Sequence, residues 1–380
     1  MKQTARIIST YSADVFGVCS ALFELGGMTV MHDASGCNST YTTHDEPRWY
    51  DMDSMVYISG LSEMEAIMGD DEKLVNDIVN AAMDLKPKFI AVAGTPIPAM
   101  TGFDFEAIAE LIHERTGIPA FGFSTTGMNT YVQGASMALE AIAKAFTDRN
   151  VQKSDDLSVN ILGLTPLDFS VSGADRSIVR FLENAGFSVI SKWAMGSSLD
   201  DMAQAGKAHV NLVVSATGLG AAKALKEIFG TPYGVGTPVG SEYSAEILNA
   251  LKTAVKTGED IHPVSDLEGG EIVIIGEGVT SLSLASAIEL SLKKGTRVIC
   301  TTECPEKLFR KKDSCEIWEE DIENLIKSAS VVIADPLFEP ICPNDVRFVK
   351  LPSEGFSGRI YRDSIPDLVS GFDEFIKEAF

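Results

Sequence analysis

The chain reads as an α/β protein of three doubly wound, Rossmann-like parallel-sheet domains around a central cleft. Short β-rich apolar runs alternate with amphipathic runs of helical length, the pattern of strands joined by crossover helices. The strand runs are apolar nearly throughout, as a parallel sheet covered on both faces requires. Polar breaks divide the 380 residues into pieces of domain size. These pieces are predicted as 1–154, 155–265 and 266–380.

In the first piece VFGVCSALFELGG is a short helix closed by glycine, and MTVMHD is a strand running into the turn DASGC. An irregular stretch rich in polar and aromatic residues follows. DEKLVNDIVNAAMDLKP then has helical periodicity and stops at Pro87, where the missing N–H and the ring end a helix. FIAVAGTP, FEAIAELIHERTG and IPAFGFS continue as strand, helix and strand. TDRNVQKSDDLS is the linker. VNILGLTP, FSVISKWA and HVNLVVSATG are the next strands, with DRSIVRFLENAG, SLDDMAQAGKA (capped by Ser197 or Ser198) and GAAKALKEIFG as helices. After TGEDIHPVSDLEGG, the strands EIVIIGEG and TRVICTT enclose a helix through LSLASAIELSLKKG, and DIENLIKSASVVIADP continues the third unit. GEGVTSL lacks the third glycine of a dinucleotide fingerprint and reads as a strand-to-helix turn.

A net charge of −23, from 54 acidic and 31 basic residues, argues against nucleic acid and acidic membrane surfaces, which are bound through clustered Lys and Arg. It keeps a soluble protein dispersed, or in part docks a basic redox partner. No apolar run is long enough to span a bilayer, and MKQTARIIST carries no apolar signal core, so a cytoplasmic location is expected. Without a Gly-rich loop ending in Lys-Ser or Lys-Thr, the chain is not expected to hydrolyse ATP.

Ligands in open parallel sheets collect at the carboxyl ends of strands. Cys37, Thr95, Ser124, Thr165, Ser215 and Gly276 fall at or just after such ends. The six cysteines are either buried small side chains or metal ligands. Cys19, at the start of the first helix, and Cys37, in the turn after the next strand, are eighteen residues apart, and a returning connection could bring them together. Gly36 lets backbone approach closely there, and Ser35, Asn38 and Ser39 offer hydrogen bonds. Cys300, Cys304, Cys315 and Cys342 are spaced by four, eleven and twenty-seven residues, without the tight C-x-x-C pairs that preorganise zinc. His32 reads as a hydrogen-bonded structural histidine or a proton donor. Asp70, Asp71 and Glu72 read as a solvated helix start.

GVCSALFELGGMTVMHDASGC, MGSSLDDMAQAGKAHVNLVVSATGLGAAKALKEIFGTPYGVGTPVG and VVIADPLFEPICPNDVRFVKLPSEGFSGRIY resemble the nitrogenase component 1 family, and the likeness covers nearly the whole chain. That family includes the subunits of nitrogenase, the dark-operative protochlorophyllide and chlorophyllide reductases, and the reductive cyclase of the nickel tetrapyrrole pathway. Its His-Gly-Pro-x-Gly-Cys turn appears here with His32, Gly36 and Cys37 retained and Asp33 and Ala34 in place of Gly-Pro. The resemblance implies that Cys19 and Cys37 bind a cluster, that the first domain is the cluster-binding one, and that Glu63 lies on a loop near the cluster as a surface carboxylate or as its hydrogen-bonding neighbour. It also implies a separate nitrogenase-reductase-like iron–sulfur ATPase as electron donor.

Where the family carries a third cluster cysteine this chain has Thr95. Two thiolates cannot complete the ligation of a [4Fe–4S] cluster, but two chains can. The expectation is therefore a homodimer with one cluster bridging the subunits. The family's molybdenum cofactor is held by a cysteine and a histidine whose positions here carry Ser215 and Pro352. No nitrogenase-type molybdenum cofactor is expected, and a cavity around His32, Glu63, Thr95 and Ser215 should take another small-molecule substrate. The leading expectation is a nitrogenase-like oxidoreductase subunit. The alternatives are a scaffold for metallocofactor assembly and a non-redox binding protein that kept the fold.

Overall fold

A computed structural model describes residues 5–7, 12–36, 38–41 and 45–380. Three sheets form, every strand pairing within them parallel. The first has the order β2-β1-β3-β4, from β1 (Met28–Met31), β2 (Met55–Ile58), β3 (Ile90–Ala93) and β4 (Ala120–Phe123). The second has the order β6-β5-β7-β8, from β5 (Ser158–Leu164), β6 (Ser188–Ala194), β7 (Val210–Val213) and β8 (Tyr233–Val235). The third has the order β11-β10-β9-β12-β13, from β9 (Ile272–Gly276), β10 (Thr296–Cys300), β11 (Ser314–Cys315), β12 (Val331–Ala334) and β13 (Arg347–Lys350).

The side-chain period of two decides which helix covers which face. Met28, Val30, Ile90 and Val92 pack against the helices Asp71–Leu85 and Phe105–Thr116 through Leu74, Val75, Ile78, Ile108 and Ile112. Met31, Ala91 and Ala93 point the other way, into the large core shared with the helices Asp14–Leu22 and Tyr131–Phe146. The third sheet divides likewise, with Val273, Ile275 and Ile299 against Ile322 and Ile326, and Ile272, Ile274 and Val298 in the large core with Leu282 and Ala285.

The helices Asp14–Leu22 and Tyr131–Phe146 lie unusually close. A Cβ on Gly17 would fall 2.0 Å from the Tyr131 carbonyl oxygen, and one on Gly134 would fall 1.8 Å from that of Asp14. Only hydrogen fits at either position. The Asp14 carboxylate completes the junction by accepting the N–H groups of Thr126 (3.0 Å) and Gly127 (2.8 Å). The linker is anchored as well: Lys153 Nζ donates to the Ala208 carbonyl at 2.6 Å and to Thr231 Oγ1 at 2.7 Å.

Candidate functional site

At the carboxyl edge of the first sheet, the chain leaving β1 is tied to the ends of both neighbouring strands. The Thr95 hydroxyl, just after β3, lies 2.8 Å from the His32 carbonyl oxygen and 3.0 Å from Asp33 Oδ1. Ser59, just after β2, sits 2.9 Å from His32 Nδ1 and accepts the Asp33 N–H at 3.1 Å. The imidazole packs on Phe103 with ring centroids 4.6 Å apart. Burial brings His32 down to about 4, against the pull of Asp33 and Glu65. Burial thus disfavours the charged imidazolium.

Other expected residues fall differently. Glu63 begins the helix Glu63–Met68, which buries no residue, and its side chain is in solvent. Ser62 and Glu65 form a capping box there, and Asp70 caps the next helix. A Cβ on Gly36 would meet nothing within 4 Å among the described residues, and it is Ser35, with φ 74°, that takes the left-handed conformation. Cys37 lies outside the described residues.

Cys19 sits in the middle of its helix, Asp14–Leu22, rather than at the start. The thiol is 0% exposed. Burial, and then the charge of Glu46, push its pKa up. Tyr41, four residues after Cys37, stacks on Phe16 of the same helix at 4.9 Å and donates to Glu46 Oε2 at 2.8 Å. Arg48, which the sequence reading missed, binds Glu46 (2.6 Å), Glu24 (2.8 Å) and the carbonyl oxygens of Ser20 (2.8 Å) and Ala194 (3.0 Å). It thereby fastens the first helix to the end of β6.

In kind the Cys19 thiol suits an iron–sulfur cluster, whose iron is held by cysteine sulfur. As arranged, Cys19 is enclosed by its own chain. Among the described residues no group of three or more His, Cys, Asp and Glu side chains is placed to hold a metal ion.

Ser215 belongs to a second cluster, where the ends of β5 and β7 meet that of β9. Its hydroxyl is near enough to Asp168 to favour the anion, and it accepts from the Thr217 N–H (3.2 Å) and hydroxyl (3.0 Å). Asp168 also accepts from Tyr131 Oη and from Thr165 Oγ1 (2.8 Å). Burial, with the Glu277 carboxylate next, lifts Asp168 to about 7, opposed by these hydroxyls. Glu277 caps the helix Gly278–Leu292, accepting from the N–H groups of Val279 (3.0 Å) and Thr280 (2.8 Å), the Thr280 hydroxyl (2.9 Å) and the Ala216 N–H (3.0 Å). GEG is thus a strand-to-helix turn.

Asp168 and Glu277 line a cavity of about 100 Å³ with Asp335, Thr237, Ser281 and Pro352. Asp335, raised by burial, accepts from the Ser353 N–H (2.9 Å) and the Ser357 hydroxyl (2.8 Å). Among the described residues, three carboxylates and no Lys, Arg or His line this space. Phe356 separates it from an open cleft of about 930 Å³ lined by Thr130, Tyr131, Glu303, Trp318 and Phe338. Sequence reasoning marked Thr165 and Ser215 here but missed Asp168 and Glu277.

The sequence profile of nitrogenase component 1 type oxidoreductases matches residues 15–274. The nitrogenase iron-molybdenum cofactor biosynthesis protein NifE of Clostridium pasteurianum is 28% identical over 179 residues, 47% of this chain and 38% of that protein. A subunit of the light-independent protochlorophyllide reductase of Prosthecochloris aestuarii is 29% identical over 160 residues, 40% of this chain and 29% of that one. The chain spans about half the length of the curated relatives it matches. A solved structure of nitrogenase Cp1 at pH 6.5 superposes on all of this chain and 94% of its own, with TM-score 0.71 at 17% identity, which shows a shared fold. The parallel three-sheet architecture and the match over most of its length establish that the chain belongs to the nitrogenase component 1 type oxidoreductase family.

Proposed function

We propose that the chain is a nitrogenase-like oxidoreductase subunit, acting in the cytoplasm as a homodimer. It takes electrons from an ATP-dependent iron–sulfur reductase and reduces a small molecule beside Asp168. The observation that carries this reading is Asp168 itself: a carboxyl held near 7, in a cavity at converging strand ends, can keep a proton and release it near neutral pH. Cys19 and Cys37 of two chains would hold a [4Fe–4S] cluster, which would supply single electrons at low potential. This requires Tyr41 and Glu46 to lift from Cys19.

An exposed apolar patch supports the dimer. Met64, Ile67 and Met68 on the helix after β2, with Ile97 and Met100 on the helix after β3, flank the turn that follows β1. Such a patch marks an interaction surface, and an isologous contact through it would bring the two Cys37 turns toward one axis. In the cavity, Tyr131, Thr165 and Ser215 orient Asp168, and the apolar walls of Phe169, Leu284 and Leu351 limit water. Three carboxylates without a counter-charge suit a neutral or cationic substrate and repel an anionic one.

The second reading, a scaffold on which a metallocofactor is assembled, is favoured by the similarity to a cofactor biosynthesis protein. Anaerobic reconstitution tests the cluster. We expect one [4Fe–4S] complement per two chains, lost in Cys19→Ser and in Cys37→Ser. Iron bound by a monomer, or a full cluster in Cys37→Ser, sinks the bridging assignment. Turnover that needs both the reductase and ATP separates enzyme from scaffold.

A further inference from the structure

The third sheet assembles three thiols that sequence spacing kept apart. The register of β10 and β11 sets Cys300 directly opposite Cys315, and the Cys300 thiol donates to the Thr302 carbonyl oxygen at 3.2 Å. Neighbouring strands lie about 4.8 Å apart, inside the roughly 4.4–6.8 Å Cα separation that a disulfide spans. Side chains of paired positions leave the sheet on the same face. Cys300 is buried and Cys315 exposed. Cys304 is a further neighbour: a Cβ on Gly278 would fall 2.4 Å from its sulfur and 3.4 Å from that of Cys300, so this glycine is what leaves room for both. Cys342 packs elsewhere, in the Val273–Ile299–Val332 core.

We propose that Cys300 and Cys315 are a reversible dithiol–disulfide site that exchanges with small-molecule disulfides. Cys315, open to solvent, attacks one sulfur of the incoming disulfide, forming a mixed disulfide and releasing one thiol. Cys300 then attacks the Cys315 sulfur, closing the internal bond and releasing the second thiol. The protein dithiol loses two electrons and two protons, and the small disulfide gains them as two thiols. The nearness of Cys304, and then burial, raises the Cys300 thiol, and the nearness of Cys300, and then burial, raises that of Cys315. Exchange is therefore slow at neutral pH and faster as pH rises.

The location gives the bond a consequence. Cys300 is in register with Gly276, the residue before Glu277, so closing the bond ties the two-residue edge strand β11 to β10, the strand that lies next to β9 and its turn at Glu277. This inference rests on the third sheet alone and stands whether or not a cluster binds Cys19.

The test uses the whole purified chain exposed to glutathione disulfide over a range of pH, quenched with acid, alkylated and mapped by peptide mass. We expect one linked pair, Cys300 with Cys315, reversed by dithiothreitol and forming faster at alkaline pH, with Cys304 and Cys342 alkylated. In Cys315→Ser the link is lost and Cys300 remains alkylated. In Cys300→Ser, Cys315 stops at the mixed disulfide. A stable mixed disulfide on Cys315 of the wild type with Cys300 free overturns the proposal. So does a Cys300–Cys304 link, or the absence of any Cys300 oxidation at alkaline pH.

Discussion

Replacing Asp168 by asparagine isolates the proton that this residue holds. Its carboxyl moves from an ordinary 3.8 in the unfolded chain to about 7 in the fold, first because burial disfavours the anion and next because Glu277 is close. A raised acid keeps a proton that the unfolded chain has released, so its contribution to stability is fully present below 3.8 and is lost as pH rises toward 7. Each pKa unit corresponds to about 1.4 kcal/mol, and the wild type should lose about 2 kcal/mol from this group between pH 5 and pH 7. Asparagine has the size of the protonated acid and does not titrate. It offers one acceptor oxygen to the Tyr131 and Thr165 hydroxyls instead of two, a penalty of about 1 kcal/mol that does not vary with pH. Urea unfolding of both proteins at pH 5, 6, 7 and 8 measures the difference. The variant should gain on the wild type by about 2 kcal/mol across the first three points and level off afterwards. The infrared carbonyl band of a protonated carboxyl should vanish near pH 7 in the wild type only. Two stability profiles that stay parallel would refute the assignment of the buried proton to Asp168.

Gly134→Ala places a methyl 1.8 Å from the Asp14 carbonyl oxygen and should cost about 3 kcal/mol through overpacking. Gly36→Ala, which meets nothing within 4 Å among the described residues, should change the melting temperature little. Arg48→Met leaves Glu46 and Glu24 buried without their cation, and chemical denaturation should show a loss of about 3–5 kcal/mol. Thr95→Val removes the hydroxyl between His32 and Asp33 and should cost about 1–3 kcal/mol, while Thr95→Ser should stay near wild type by the same measurement.

The sheets were legible because strands such as FIAVAGTP and VNILGLTP are apolar on both faces, and little else in a chain needs that pattern. The sequence left unread the elements without it. β2 is four residues long, with Tyr57 exposed, and β11 has two residues, so each is an edge strand that pairs without declaring itself. The helix Glu63–Met68 buries nothing, so it has no apolar period, and only the S-x-x-E cap announces it. The helix Tyr131–Phe146 carries glycine in its interior, which weakens a local helix signal, and that glycine exists for contact with Asp14. The site was legible only as a row of strand ends. Thr165 and Ser215 were marked by position, but Asp168 becomes unusual only because folding brings Glu277 to it. Cys300 and Cys315 of the third sheet are likewise made neighbours by strand register, which no spacing rule contains.

The same packing gives the proposed electron site and the carboxylate cavity a physical connection. Cys19 rides on a helix locked by Gly17 and Gly134 against the helix that begins at Tyr131. Tyr131 in turn donates its hydroxyl to Asp168. Two helices in backbone contact and one hydrogen bond therefore join the buried thiol to the buried acid. Any lifting of Tyr41 and Glu46 that opened Cys19 would disturb Arg48 at one end of this junction while the glycine contacts held the other. The junction has no slack to absorb such a shift, because a methyl group would overfill it at either glycine. Loading at Cys19 should accordingly be felt at Asp168 through the position of Tyr131, and a Gly17→Ala chain that still folds should move the midpoint of the Asp168 carbonyl band without touching either residue.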